Sequence, residues 1–257
     1  MKTAWPIAAA LLSLSLGCEV NLQRNWTPAA LSQRANPTAE SLYEDCQKQI
    51  RRGYYVKALE LCTRLRNYYR DSPYAVLAEL AIGDLHFEKT DYDLARVAYE
   101  DFRRMHPRHE KTDYVVYRLG MTAYKKASRV ASRDQTSTRM AVDMWTNFDS
   151  RFPESEHIDE VQELHGKGRD RLARKELRIA DFYAGQDAWA AAALRLEDML
   201  RTYPGAADTD HAMALLALCR VELGEVEAGA VLRERLQTEH PDSRWNRWLT
   251  FKGRKAW

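Results

Sequence analysis

Small and apolar positions recur along this chain with a helical period, and one spacing repeats. A small residue stands twelve positions ahead of a loop in five places: Ala95 before Pro107, Ala141 before Pro153, Ala192 before Pro204, Gly229 before Pro241, and Ala58 before Arg70, with Pro73 close behind. Large side chains follow one and two turns later, as Tyr99 and Phe102, Trp145 and Phe148, Leu196 and Met199. Residues a turn apart share one helix face. The pattern therefore predicts a helix that buries a stripe, with its small residue where a second helix crosses closely. The helix before each of these supplies its own small residue: Cys46, Gly83, Gly120, Ala180 and Ala217. A bulky plug, Tyr55, Tyr92, Trp189 or Val226, fills the turn between the two.

The small residues of the second helices lie 37, 46, 51 and 37 positions apart. Helix–turn–helix units of about 34 residues ending in proline are the tetratricopeptide signature. The predicted fold is all-α, a tetratricopeptide-repeat solenoid of about five helix pairs over residues 39–243. Such a solenoid offers concave surface to partners. The third unit departs from the rule, since Gly120 and Ala141 are 21 positions apart where Gly83 and Ala95 are 12 apart. The surplus around Ser128 to Gln135 is expected to emerge as a surface loop. Leu164 to Leu177 reads as a charged, extended helix.

Residues 1–17 form a separate object. Lys2 is followed by the uncharged run Ile7 to Leu16 and then by Gly17-Cys18. The run is too short for a bilayer span and fits a signal peptide. Its end resembles a bacterial lipobox, which implies cleavage before Cys18 and acylation of that thiol, the lipid attaching the chain to a membrane. Residues 18–38 read as a flexible tether. Beyond Lys2 the chain carries 38 basic and 37 acidic residues, a balance that gives no general nucleic-acid surface. Cys46 and Cys62 face each other within the first helix pair, either as a disulfide or as two small buried side chains; Cys219 reads as core. No catalytic constellation emerges. The seven histidines lack the His-Glu-x-x-His pattern, His106 and His109 flank a loop proline, and Gly166-Lys167-Gly168 lacks phosphate-loop spacing. No enzyme activity, cofactor or metal is expected.

The concave face is lined by the first helix of each pair. Projection from the crossing positions places Tyr43, Gln47 and Ile50 there in unit one, and Leu80, Asp84 and Phe87 in unit two. Unit three gives Tyr114, Tyr117, Met121 and Tyr124. Aromatic rings thus gather in the first three units, with Arg51, Glu88 and Lys125 at the rim. Two readings stand: a groove for an extended peptide with aromatic side chains, or rings that pack between repeats. The tail, residues 244–257, interleaves Arg244, Arg247, Lys252, Arg254 and Lys255 with Trp245, Trp248, Phe251 and Trp257. It is read either as a helix capping the solenoid or as a basic-aromatic segment for a membrane or partner.

The order of several motifs resembles the BamD family, tetratricopeptide lipoproteins of the outer-membrane β-barrel assembly machine. Pro107-Arg108-His109 leads into Asp113-Tyr114-Val115-Val116-Tyr117 and Gly120. Arg133-Asp134 precedes the helix near Arg139, and Phe152-Pro153-Glu154-Ser155 is followed by Arg171-Leu172-Ala173 and Glu176. Ala188-Trp189 then precedes Arg195-Leu196-Glu197-Asp198-Met199-Leu200 and Tyr203-Pro204. The likeness covers about residues 10–240 and is most specific from His106 to Pro204. It departs in a shorter insertion lacking the family's aromatic pair, in Arg70 for proline, and in the tail. The resemblance implies a non-enzymatic lipoprotein on the periplasmic face of the outer membrane. Its client groove would take unfolded outer-membrane proteins through Tyr43, Arg51, Leu80, Phe87, Tyr114, Tyr117, Met121 and Tyr124. Its C-terminal repeats would hold a BamA-like barrel subunit through a POTRA domain, with Arg195 matching an interface arginine. The alternative is another periplasmic tetratricopeptide lipoprotein, pilotin-like or an activator of a cell-wall enzyme.

Overall fold

The computed structural model describes residues 37–252, and side chains up to Thr250. Cys18, the signal peptide, nearly all of the tether and the end of the tail lie outside the described residues. The described chain is helical throughout: α1 (Ala39–Arg51), α2 (Tyr55–Tyr68), α3 (Pro73–Glu88), α4 (Tyr92–Met105), α5 (Thr112–Lys126), α6 (Thr136–Trp145), α7 (Phe148–Arg151), α8 (Ile158–Ala184), α9 (Trp189–Thr202), α10 (Thr209–Glu222), α11 (Val226–Glu239) and α12 (Arg244–Lys252). Consecutive helices pack antiparallel, in the pairs α1/α2, α3/α4, α5/α6, α8/α9 and α10/α11, and each pair stacks on the next. No described helix is long and apolar enough to cross a membrane.

Side-chain size sets the approach of the two helices in a pair. Cys46, Ala58, Ala95, Ala141, Ala180, Ala192 and Ala217 are wholly buried. A Cβ on Gly83 would lie 2.6 Å from Cε1 of Tyr99, and one on Gly120 would overlap the Nε1 edge of the Trp145 indole. Contact is therefore backbone against ring at those two crossings. Cys46 and Cys62 form a disulfide between α1 and α2, with Cα atoms 5.7 Å apart. Cys219 stays a free, buried thiol, and burial pushes its pKa up to about 11.

The turns within pairs one, two, four and five share one backbone device. The residues at 53, 90, 187 and 224 each adopt positive φ, and the amide of the next residue bonds back five residues, as in Tyr54 N to Gln49 O at 3.0 Å and Asp91 N to His86 O at 2.9 Å. This is the Schellman closure, which satisfies orphan carbonyls at a helix end. Gly53 and Gly224 suit it; Thr90, at φ 61°, is a β-branched residue in a region that disfavours it. Thr90→Gly is expected to raise stability by about 0.5–1 kcal/mol, net of the entropy glycine adds to the unfolded chain. Chemical denaturation checks this, and an unchanged or lowered midpoint would contradict it.

The third pair lacks that turn because residues 127–135 intervene as a surface loop. Gln135 is buried and stitches the loop, its Nε2 donating to Val130 O at 2.8 Å and to Ser128 O at 3.3 Å. The charged helix spans 27 residues as α8, about 40 Å long. Its first half leans on α6, where a Cβ on Gly168 would come 2.7 Å from Val142 Cγ2; its second half pairs with α9. At the far end α12 packs on α10 and α11. Leu249 is buried there, and Trp245 stacks on His211 with ring centroids 3.7 Å apart.

Candidate functional site

The first helices of units one to three bring their rings to one region, and a half-buried polar cluster organises its centre. With no side chain at Gly83, the Tyr99 ring lies across α3, and its hydroxyl donates to Asp84 Oδ1 at 2.6 Å. Tyr114 donates to the same oxygen at 2.7 Å from the neighbouring unit. Arg118 Nε donates to the Tyr99 hydroxyl at 2.9 Å and stands 3.4 Å from Asp84 Oδ1 and 3.7 Å from Glu88. The Arg118 guanidinium lies 3.8 Å from the centroid of the Phe87 ring, a cation–π arrangement.

Burial raises the Asp84 pKa, opposed by the two tyrosine hydroxyls and by Arg118. Burial, and then the Asp84 charge, hold the pKa values of Tyr99 and Tyr114 well above the usual phenol range. Both rings therefore stay protonated and serve as fixed donors.

A second cluster joins α5 to α8. Tyr117 stacks on His157, centroids 4.3 Å apart and 9° from parallel, and donates to Glu160 Oε2 at 2.9 Å. Burial and that bond push its pKa up to about 12. Tyr124 sits 5.9 Å from Trp145 and carries the Arg171 guanidinium over its ring at 5.1 Å. Arg171 also reaches Ser128 O at 3.3 Å, so one side chain of α8 links the ring to the base of the inserted loop. In unit one, Tyr43 lies 5.7 Å from Tyr74, whose hydroxyl donates to Glu40 at 3.0 Å.

The eight residues expected to line a groove divide accordingly. Leu80, Tyr117 and Met121 are each 8 % exposed and belong to the packed interior. Tyr43, Phe87, Tyr114 and Tyr124 are half-buried and Arg51 is exposed, so these five reach the surface. Arg195 is exposed, while Leu196 and Met199 beside it are buried. Its Nη1 donates to Glu176 Oε2 of α8 at 3.3 Å, leaving the rest of the guanidinium toward solvent. His106 bonds Glu79 at 2.8 Å. His109 lines an open cleft of about 400 Å³ between the loops at Pro107 and Pro153, on the edge opposite the within-pair turns.

Projection from the crossing positions passes over Arg118, Arg171, His157 and Glu160. Arg118 lies two residues before Gly120, just off the projected line. His157 caps the N-terminus of α8, and Glu160 and Arg171 lie on that helix ahead of its crossing residue Ala180, where unit spacing gives no guide.

Stacked helix pairs with small crossing residues define a tetratricopeptide-repeat protein. The chain belongs to the YfiO family, described as outer membrane lipoprotein, whose model matches residues 35–236. It is 27 % identical over 246 residues, 91 % of both chains, to the outer membrane protein assembly factor BamD of Neisseria meningitidis serogroup A. It is also 27 % identical over 186 residues to that of Vibrio cholerae, covering 69 % of this chain and 76 % of the other. A tetratricopeptide repeat protein from Parabacteroides merdae superposes with a TM-score of 0.42 at 15 % identity, over 86 % of each chain. The fold assignment rests on the helix pairs themselves.

Proposed function

We propose that this chain is a non-enzymatic scaffold for assembling β-barrel proteins at the outer membrane, held there by a lipid on Cys18. Its family and the assembly-factor relatives support that role. The observation that carries the client-binding part is the surface shared by Tyr43, Phe87, Tyr114 and Tyr124 across three units, set around Asp84, Glu88 and Arg118. Ring faces beside fixed polar groups suit an extended segment with aromatic side chains, since rings give large contact area at low entropic cost. In the same reading the exposed Arg195 edge of unit four faces the barrel-forming subunit and its POTRA domain. The pairing with Glu176 holds the guanidinium in place, and its remaining donors can meet a carboxylate.

The test is titration of a peptide copying the last strand of an outer-membrane barrel, against the parent and the Phe87→Ala/Tyr124→Ala variant. Affinity is expected to fall at least tenfold, about 1.4 kcal/mol or more, with circular dichroism preserved below the melting transition. Equal affinity in a folded variant would remove the groove from the proposal. Absence of barrel-assembly subunits among proteins co-purified with the native lipoprotein would remove the scaffold reading itself.

A further inference from the structure

The first helices of all pairs run parallel, so the turns within pairs line one edge of the solenoid. Neighbouring turns meet there: Lys126 at the end of α5 reaches both carboxylate oxygens of Asp93 at the start of α4, at 2.6 and 2.8 Å. Charge is unevenly spread along this edge. Unit one presents Arg51, Arg52 and Lys57, and unit three with its inserted loop presents Lys125, Arg129 and Arg133, all exposed. Lys57, Lys89 and Lys126 are matched by Glu60, Asp91 and Asp93. The side chains of Arg51, Arg52, Lys125, Arg129 and Arg133 have no acidic partner among the described residues. Units four and five carry no cation in the corresponding turns, Gly185-Gln186-Asp187 and Leu223-Gly224-Glu225.

Apolar side chains stand among these unmatched cations at the tips. Tyr54 is 61 % exposed, Val56 74 % and Val130 49 %. A solvated charged edge has no need of apolar tips, and these tips project from turns, so they form no groove for a peptide. Cations around shallow apolar points fit a flat partner with anionic groups above an apolar layer. We propose that the within-pair turn edge of units one to three docks on a bilayer surface bearing anionic phospholipids. Tyr54, Val56 and Val130 enter the headgroup zone, and the five unmatched cations meet lipid phosphates. The eighteen residues between Cys18 and Pro37 could extend to roughly 60 Å. An acyl group on Cys18 and this edge can therefore hold the same bilayer, although the edge contact does not require the acyl group.

The chain from Glu19 onward keeps the whole described array and has no acyl group, so flotation with vesicles reads lipid contact by the polypeptide alone, and the edge variants separate this edge from the basic-aromatic tail. It is expected to float with phosphatidylcholine vesicles containing phosphatidylglycerol, to stay behind with phosphatidylcholine alone, and to be released by high salt. Arg52→Glu/Arg129→Glu/Arg133→Glu is expected to lower partitioning by roughly 100-fold. Tyr54→Ser/Val56→Ser should lower it about tenfold while keeping the salt dependence. All five residues are exposed, so both variants should melt with the parent. Failure to float with the anionic vesicles, equal flotation with phosphatidylcholine alone, or full binding by the arginine variant would each overturn the proposal. Vesicle indifference combined with loss of co-purifying subunits from the lipidated arginine variant would assign the edge to a protein partner and likewise end the lipid reading.

Discussion

Gly120→Ala is expected to cost at least about 3 kcal/mol of stability, the high end for overpacking a core. The new Cβ would lie 2.8 Å from Cδ1 of Trp145 and closer still to two other ring atoms. The ring cannot swing aside. Trp145 is 1 % exposed, its Nε1 donates to Tyr117 O at 3.3 Å, and Val116, Ala141, Phe148 and Val161 belong to the same core cluster. Relief requires α5 and α6 to separate, which opens the core of unit three. The same substitution elsewhere should behave differently. At Gly166, inside α8 with nothing within 4 Å of the added carbon, alanine should stabilise by about 0.5–1 kcal/mol through helix propensity. At Gly53, in open space but at φ +75°, it should cost about 1–2 kcal/mol through strain alone. Urea denaturation of the three variants separates the causes. A Gly120→Ala protein within 1 kcal/mol of the parent would mean that the helices can part at little cost, and that glycine at this crossing is not a packing requirement.

That crossing also shows why the fold was legible before any coordinates. A residue without a side chain, followed by a ring on the next helix, reports backbone approach directly: Gly83 and Tyr99 are 16 positions apart, and Gly120 and Trp145 are 25 apart because the inserted loop intervenes. The within-pair turn was less legible because its left-handed residue is glycine at 53 and 224 but Thr90 and Asp187 elsewhere. The backbone need is constant and the side chain is not.

The candidate groove was half legible. Helical projection gives the direction in which Leu80, Tyr117 and Met121 point, but not how far the next helix covers them. Tyr117 is covered by His157, the N-cap of α8, and by Glu160 in its first turn. That helix starts 22 residues ahead of its crossing residue Ala180, where the other first helices start 7 to 10 residues ahead, so projection from the crossing does not reach its first turns. Arg118 and Arg171 were hidden for a related reason. A cation lying over a ring looks, in sequence, like any charge on a solvated face.

Replacing both disulfide cysteines is expected to loosen the first unit selectively and to leave the rest of the array in place. The bond joins Cys46 and Cys62 across 16 positions. Chain-entropy reasoning assigns a loop of that size about 3 kcal/mol. Unit one has the greatest need of it, since α1 packs on α2 and α3 but has no preceding described repeat, and in a repeat array each unit depends on its neighbours' interfaces. Both sulfurs are wholly buried in the cluster formed by Leu42, Ala58, Leu65, Ala78 and Leu85, so alanine at each site preserves an apolar interior. Amide exchange of Cys46→Ala/Cys62→Ala should therefore accelerate in α1 and α2 by roughly 100-fold, the factor that 3 kcal/mol represents. Protection in α9, α10 and α11 should not change. Tyr43 rides on α1, so affinity for an aromatic strand peptide should fall with the loss of order in that helix. Disulfides persist chiefly in oxidising compartments, which agrees with the placement at the outer membrane proposed above. If exchange in α1 matched the parent, the disulfide would be incidental and the Leu42–Leu65 core sufficient by itself. If exchange rose equally from α1 to α11, the array would be one cooperative unit, and the nearest-neighbour account of its stability would fail.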